Sequence, residues 1–276
     1  MRKLAVISMI SFLLPLFAIM PEAGAQNYVE TFENGKIDWT KGVAEAIGIG
    51  APPKEAINMA QARAMAKRAA VTVARRNLLE ILKGVRVTST TLVKDAVVRN
   101  DMIRTKVKGF LDRSHVADIA YMSDGSVEAT VVMSLKGGFA NLVLPESIKT
   151  IQPISQSQAE AKDTVHTGLV IDCRGFPVKP ALSPKVVDES GNEVFGSAYV
   201  SREYATSQGM VGYAKDLAAA QTNEKVADNP LTVKGIRTAE DGDSDIVISN
   251  ADAALIRGAA ENLSFLKQCR VMIVLD

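Results

Sequence analysis

One segment constrains the fold of this chain more than any other, the run from Pro53 to Lys83 with the sequence PKEAINMAQARAMAKRAAVTVARRNLLEILK. Strong helix formers dominate it, and no Gly or Pro follows its first residue, so we predict one long α-helix that ends at Gly84. Its apolar side chains recur at helical spacing, and we expect this largely alanine face to pack closely across a β-sheet. The face consists of Met59, Ala66, Ala70, Val73, Ala74, Leu78 and Ile81.

The opposite face of this predicted helix is basic. Seven Lys or Arg and two Glu give the segment a net charge of +5. Such a face either binds an acidic partner or is only a solvated helix surface. No aromatic residue interleaves with the arginines, which argues against stacking on nucleic-acid bases. The candidate interaction face comprises Arg68, Arg75, Arg76 and Lys83, whereas Arg63 and Lys67 are expected to project toward the apolar face.

The first 25 residues have the three parts of a secretory signal peptide. Arg2 and Lys3 supply the positive end, residues 4–20 the apolar core, and Ala23-Gly24-Ala25 an A-x-A cleavage site. We therefore expect cleavage between Ala25 and Gln26 and export to the periplasm or to an outer-membrane-associated position. A retained anchor is the alternative, although Pro15 interrupts the apolar run. No later segment of the sequence is apolar enough to span a bilayer.

The rest of the chain is long enough for two domains. With 47% hydrophobic and 23% charged residues it can bury substantial cores, and its formal net charge is only +1. The polar stretch IQPISQSQAEAKDTV is typical of a linker, and we expect the two halves to be separable by a cut within it. The predicted organisation is a lead-in at 26–42, a first domain at 43–144, a linker at 145–165 and a C-terminal domain at 166–276.

Strand and turn signals predict an α+β fold. Residues 43–49 form a strand that enters the long helix, and residues 116–122 and 126–135 form a β-hairpin around Asp124-Gly125. The first domain is thus a long helix packed on a small sheet that contains this hairpin. Strands and helices also mix in the second half, where the apolar segment 269–275 is predicted to be an interior strand, so we predict a mixed α/β domain there.

Two stretches of the first half resemble a known family. They are AIGIGAPPKEAINMAQARAMAKRAA and DRSHVADIAYMSDGSVEATVVMSL. Over about residues 43–144 the chain resembles the LPP-twenty lipoprotein domain family, which is also similar to the N-terminal part of FlgT and to the flagellar protein FlgP. The resemblance implies a small α+β domain of cell-envelope and flagellar outer-membrane structures without enzymatic activity. The founding members are lipoproteins, but this chain lacks their acylated cysteine, so the resemblance does not imply a lipid anchor.

Two short motifs have both a chemical and a plain structural interpretation. Gly48-Ile49-Gly50 follows a predicted strand as a dinucleotide-binding loop would, but Pro53 stands where the third Gly of that motif belongs. A tight strand-to-helix turn is the simpler interpretation. The acidic run Asp241 to Asp245 has the spacing of a calcium loop, but Ile246 replaces its Gly and Asp252 its final Glu. An exposed acidic turn is the simpler interpretation here.

The cysteines and histidines offer little chemistry. Cys173 and Cys269 are the two cysteines. In an exported chain a structural or disulfide-bonded thiol is favoured over a reactive thiol at Cys173, and we predict a disulfide between the two. His115 and His166 have no neighbouring ligand at zinc-binding spacing. An aromatic and basic cluster in the second half either binds a ligand or packs on the surface; it comprises Tyr199, Arg202, Tyr204 and Tyr213.

The sequence therefore nominates no catalytic residue, no cofactor and no metal site. We expect an exported, non-enzymatic cell-envelope protein that acts in assembly, in an outer-membrane or flagellar accessory structure, through an envelope partner protein or through self-association. Binding to nucleic acid is not expected. The alternative is a small-ligand binder or an enzyme whose site lies in the C-terminal domain.

Overall fold

The computed structural model describes residues 27–148, 166–240, 242–258 and 260–276, with the backbone alone at 260–263. The predicted signal peptide and cleavage site, and residues 149–165 of the predicted linker, lie outside these ranges. Both halves combine helices with a sheet, so the α+β prediction is confirmed. No helix within the described ranges has the length and apolarity needed to cross a bilayer.

The first half forms an antiparallel sheet of five strands. The strands are β1 (Val29–Phe32), β2 (Gly35–Asp38), β3 (Val43–Gly50), β4 (His115–Tyr121) and β5 (Val127–Ser134). They lie in the order β1-β2-β3-β5-β4, and β4 and β5 form the predicted hairpin. The segment 26–42 is predicted to be a lead-in outside the first domain. Most of it instead forms the hairpin β1–β2, which extends the sheet.

Four helices follow in this half, and the longest one covers a face of the sheet. They are α1 (Met59–Gly84), α2 (Val93–Arg99), α3 (Asp101–Asp112) and α4 (Gly138–Val143). Helix α1 begins six residues later than Pro53 because Asn58 caps it: the Asn58 side chain accepts a hydrogen bond from the Gln61 N–H at 2.8 Å. The Gln61 side chain in turn accepts from the Ile57 N–H at 2.8 Å, in the manner of a capping box.

Helix α1 packs on the sheet through alanines and glycines, as its alanine face predicts. Ala66, Ala70 and Ala74 are fully buried. A Cβ atom on Gly48 would overlap backbone atoms of Ala70 and Ala74, so the helix and β3 approach each other at backbone distance. Two details of the prediction are wrong: Met59 is 68% exposed, and Arg63 and Lys67 are exposed rather than directed at the sheet.

The second half forms a mixed, largely parallel sheet of seven strands. Its strands are β6 (Gly168–Asp172), β7 (Val186–Asp188), β8 (Glu193–Phe195), β9 (Gly212–Ala214), β10 (Pro230–Thr238), β11 (Ile246–Ile248) and β12 (Val271–Val274). The order is β8-β7-β11-β10-β6-β12-β9, with β12 in the interior as predicted. Its helices are α5 (Arg202–Gln208), α6 (Leu217–Gln221), α7 (Asn250–Arg257) and α8 (Ala260–Lys267).

The two halves share one hydrophobic core, which conflicts with the expectation that they are separable. A single cluster of buried side chains runs from Leu78 and Phe139 in the first half to Ile273 in the second. Ile148, which we assigned to the linker, is 1% exposed and belongs to this cluster. Backbone hydrogen bonds also cross the boundary, since the N–H groups of residues 182 and 183 donate to the carbonyls of residues 86 and 87 at 2.9 and 2.8 Å.

Candidate functional site

The four cations of the predicted interaction face have different surroundings. Arg68 and Arg76 are exposed. Arg75 is half-buried, and its Nε lies 3.4 Å from the Ser114 hydroxyl at the junction of α3 and β4. Lys83 donates to Glu80 at 2.8 Å within α1. Of the four, Arg68 and Arg76 are therefore free for an acidic partner, and Arg68 lies nearer the N-terminal end of α1.

That part of α1 overhangs the sheet. The backbone at Ala66 lies against Gly50, the last residue of β3. With a helical rise of 1.5 Å per residue, residues 59–65 therefore extend about 10 Å past the end of that strand. The turn of the β4–β5 hairpin lies at the same end of the sheet, because Val127 pairs with both Gly50 and Tyr121. The overhang and the hairpin end thus form one end of the molecule.

Apolar side chains and unpaired cations crowd this end, which we call the apolar–basic tip. Ile57 is 87% exposed and Tyr121 is 57% exposed, although both are large and apolar. No ion pair joins the cations of the tip to a carboxylate within the described ranges. The tip comprises the apolar residues Ile57, Met59, Met65, Tyr121 and Met122 and the cations Arg63, Lys67 and Arg68.

A second candidate site is a cleft between the two halves, with a volume of about 370 Å³. The loop after β2 and the residues after β5 form one wall, and α5, β9 and the segment before β10 form the other. Residues that line the cleft include Trp39, Lys136, Leu144, Met210, Lys225 and Met272. The cleft exists only because the halves pack together, so the sequence of either half alone gives no sign of it.

An aromatic pair lies beside the cleft and fixes one half against the other. The rings of Trp39 and Tyr213 meet edge to face with centroids 5.7 Å apart. The Tyr213 hydroxyl donates to the carbonyl of Ala181 and accepts from its N–H, each at 2.8 Å. Burial raises the pKa of Tyr213, so this phenol stays protonated and serves as a structural anchor.

Two lysines supply the positive charge of the cleft. The Lys225 ammonium donates to the carbonyls of Gln208 and Gly209 at 3.2 and 2.8 Å, at the C-terminal end of α5. Burial lowers the pKa of Lys225 to about 8, and the ammonium of Lys136 acts in the same direction. The second lysine, Lys136, lines the same cleft.

The aromatic and basic cluster predicted in the second half is not a single site. Arg202 instead holds the two halves together: its guanidinium donates to the side chain and the carbonyl of Asn141, at 2.9 and 2.7 Å, and to the carbonyl of Pro145 at 3.0 Å. Tyr213 is buried, whereas Tyr199 and Tyr204 are exposed. The cluster therefore divides into an interface cation, a core tyrosine and two surface tyrosines.

The remaining motifs have structural roles in the described residues. Gly48 and Gly50 lie inside β3, where they admit the α1 backbone, and form neither a phosphate loop nor a turn. In the acidic run, Asp243 pairs with Lys179 at 2.7 Å. Asp245 is buried and accepts from the Ser89 hydroxyl at 2.7 Å, which links the two halves. No metal-binding cluster of His, Cys, Asp or Glu occurs in the ranges that the structure describes.

The predicted disulfide between Cys173 and Cys269 is wrong. Both thiols are free and buried. Strands β6 and β12 are parallel and pair Leu169 with Val271, so position 269 lies level with position 167. Cys173 lies at the opposite end, about 20 Å away at ~3.3 Å per residue, whereas a disulfide needs Cα atoms within about 7 Å.

Burial also makes both thiols unreactive, since it raises their pKa values to about 12. We therefore expect both cysteines to be alkylated once the protein is unfolded without reductant, and to be labelled only slowly in the native state. Mass spectrometry of the alkylated chain checks this. An unlabelled species 2 Da lighter than the reduced chain would contain a disulfide and would contradict the two free thiols.

The second half is similar to a known domain. A family model described as the second domain of Treponema pallidum Tp0624 matches residues 168–276, which extend from β6 through β12. No curated protein matches the chain significantly. The similarity thus covers the seven-stranded sheet and its helices, and it leaves the tip and the first-half wall of the cleft outside the match.

Proposed function

We propose that this protein is an exported, non-enzymatic assembly factor of the cell envelope that binds an acidic protein surface through its apolar–basic tip. The resemblance of the first half to the LPP-twenty lipoprotein domain family supports an envelope role, and the signal-like N-terminus supports export. Work in an outer-membrane or flagellar accessory structure is the corresponding expectation.

The composition of the tip is the observation that carries this proposal. Met, Tyr and Arg are enriched in protein interfaces, where a few apolar anchors supply most of the affinity and charges guide the partner. The tip combines such anchors with three cations that lack carboxylate partners in the described residues. A surface of this kind favours an acidic protein with an apolar pocket.

A charge-reversal pair tests the role of the tip. The variant R63E/K67E/R68E should lose a photocrosslink formed from position 59 to an envelope protein, because it repels an acidic surface. The control R99E/K106E/K108E changes the net charge equally on exposed residues of α2 and α3 and should retain the crosslink. Raising the salt from 0.05 to 0.5 M should weaken the wild-type crosslink, since exposed charges are screened beyond about 8 Å even at physiological ionic strength.

Three outcomes would contradict the proposal. If both variants lose the crosslink equally, binding depends on the overall charge of the protein and not on the tip. Crosslinking to a second copy alone, with dimers in sedimentation, would replace the partner by self-association. Binding of the purified protein to anionic lipid vesicles, with no protein crosslink, would replace it by a membrane surface.

The alternative is a ligand-binding or catalytic site within the C-terminal half. The structure offers a cleft for such a site, but the cleft lies between the two halves and not within the second one. The cleft with Lys225 draws one wall from each half. The Lys225 ammonium is held by backbone carbonyls and the other walls are largely apolar, which favours binding over acid–base chemistry.

A further inference from the structure

We propose that the cleft between the halves binds a small organic monoanion, a carboxylate head on a short apolar body, with Lys136 and Lys225 as the cations that hold the head. This site is separate from the tip and from the assembly role proposed above.

The two lysines converge on the cleft without a counter-ion. An ammonium has three donors, and the carbonyls of Gln208 and Gly209 occupy two of those on Lys225. Neither lysine forms an ion pair within the described ranges, even though Glu224 also lines the cleft. Two cations close to each other in a partly enclosed space are costly unless an anion joins them.

Capping of α5 accounts for Lys225 but not for Lys136. The backbone leaves room for the Lys136 stem at Gly42, where a Cβ atom would lie 2.7 Å from the Lys136 Cε. Gly42 has a φ of 70°, a conformation that glycine adopts readily. The stem of Lys136 is therefore accommodated against the first-half wall, and its charge lies near Lys225.

The remaining walls of the cleft suit an apolar body. Trp39, Leu135 and Leu144 come from the first half, and Met210, Val211 and Met272 from the second. A volume of about 370 Å³ is at the small end of the range for ligand cavities, about 300–1,000 Å³, and excludes a large ligand.

The donors in the cleft favour a carboxylate over a phosphate. Helix α5 presents its C-terminal end, and the carbonyls of Gln208 and Gly209 disfavour a second negative charge close by. Phosphate sites are typically built from helix N-termini or successive N–H groups, which this part of α5 does not offer. One carboxylate neutralises one of the two ammonium charges, and the carbonyl dipoles of Gln208 and Gly209 offset part of the other.

Calorimetry with octanoate, octan-1-ol and inorganic phosphate tests the site on the full chain. Octanoate should bind at least about tenfold more tightly than octan-1-ol, because a charge-assisted hydrogen bond is lost with the head group. Phosphate should not bind measurably. If octan-1-ol binds as tightly as octanoate, the lysines do not bind the head group. If phosphate binds as tightly as octanoate, the site does not select an apolar body. Either result would overturn the proposal.

Lysine variants locate the site. Lys225→Met and Lys136→Met should each weaken octanoate binding about tenfold, whereas Lys108→Met, on the exposed side of α3, should leave it unchanged. Lys225→Met also removes the cap of α5 and can fail to fold; Lys136→Met then decides, since that side chain has no hydrogen bond to lose in the described residues. Unchanged binding by a folded Lys136→Met would overturn the proposal.

The pH dependence in the wild-type protein gives an answer that needs no variant. Octanoate affinity should fall as pH rises above about 8, where the free protein loses the Lys225 proton. The other titratable groups near Lys225 are Lys136, Glu224, Cys269 and Tyr213; burial raises the pKa of Cys269 to about 12 and that of Tyr213 as well, so both stay neutral there. Affinity that is constant from pH 7 to 9.5 would exclude Lys225 as the cation.

Discussion

Replacing Gly48 with alanine should destabilise this protein by about 3 kcal/mol or more, or prevent it from folding. The added Cβ would overlap the backbone at Ala70 and Ala74, and neither a strand nor a 26-residue helix can move aside without disturbing the alanine contacts along α1. Urea unfolding followed by circular dichroism measures the loss in the free energy of unfolding.

Gly84→Ala is the matched control, because no heavy atom lies within 4 Å of a Cβ built at that position. Its free energy of unfolding should stay within about 1 kcal/mol of the wild type, with a small gain from helix propensity. If Gly48→Ala is as stable as Gly84→Ala, α1 does not approach β3 at backbone distance.

Replacing Trp39 with alanine should cost about 3–5 kcal/mol, the usual range for a buried Trp, and should destabilise both halves together. Trp39 is 5% exposed, contacts Tyr213 of the second half, and donates from Nε1 to Glu30 at 3.1 Å. The effect on the second half can be followed at Cys173 and Cys269, whose thiols are buried there.

In the Trp39→Ala variant, both thiols should react with an alkylating reagent about 150- to 4,000-fold faster than in the wild type, if they become accessible only when the whole molecule opens. Trp39→Phe is the control that keeps an aromatic ring, and it should cost less because only the hydrogen bond and part of the volume are lost. Thiol labelling that is unchanged in the alanine variant would show that the second half opens independently of the first.

Sequence reasoning succeeded where local signals agree with the fold. The alanine face of α1 and the Asp-Gly turn of the β4–β5 hairpin are strong patterns within short segments, and both predicted their elements correctly. The hairpin β1–β2 was missed although Asn34-Gly35 lies at its turn, because its strands have only four residues each. The predicted start of α1 at Pro53 is wrong, because Asn58 is the residue that caps the helix.

The sites depend on tertiary structure and could not be predicted in the same way. The disulfide prediction failed because strand order decides which ends of β6 and β12 lie together, and composition carries no signal for parallel pairing in register. The cleft joins Trp39 to Met272 through packing alone. Of the four cations predicted as an interaction face, Arg68 and Arg76 remain free, because Ser114 and Glu80 hold Arg75 and Lys83.

The position of β12 has a consequence for how the chain matures. Residues 271–274 form a strand between β6 and β9, so the second sheet has a gap until that late stretch has been synthesised. The shared core extends this dependence to the first half, because Ile273 belongs to the same cluster as Leu78, so that cluster is complete only with β12 in place. Contacts between residues so distant in sequence form slowly. Until residues 271–274 have been made, the second sheet of a nascent chain lacks one of its interior strands, and the parallel pairs that this strand forms on both sides cannot exist.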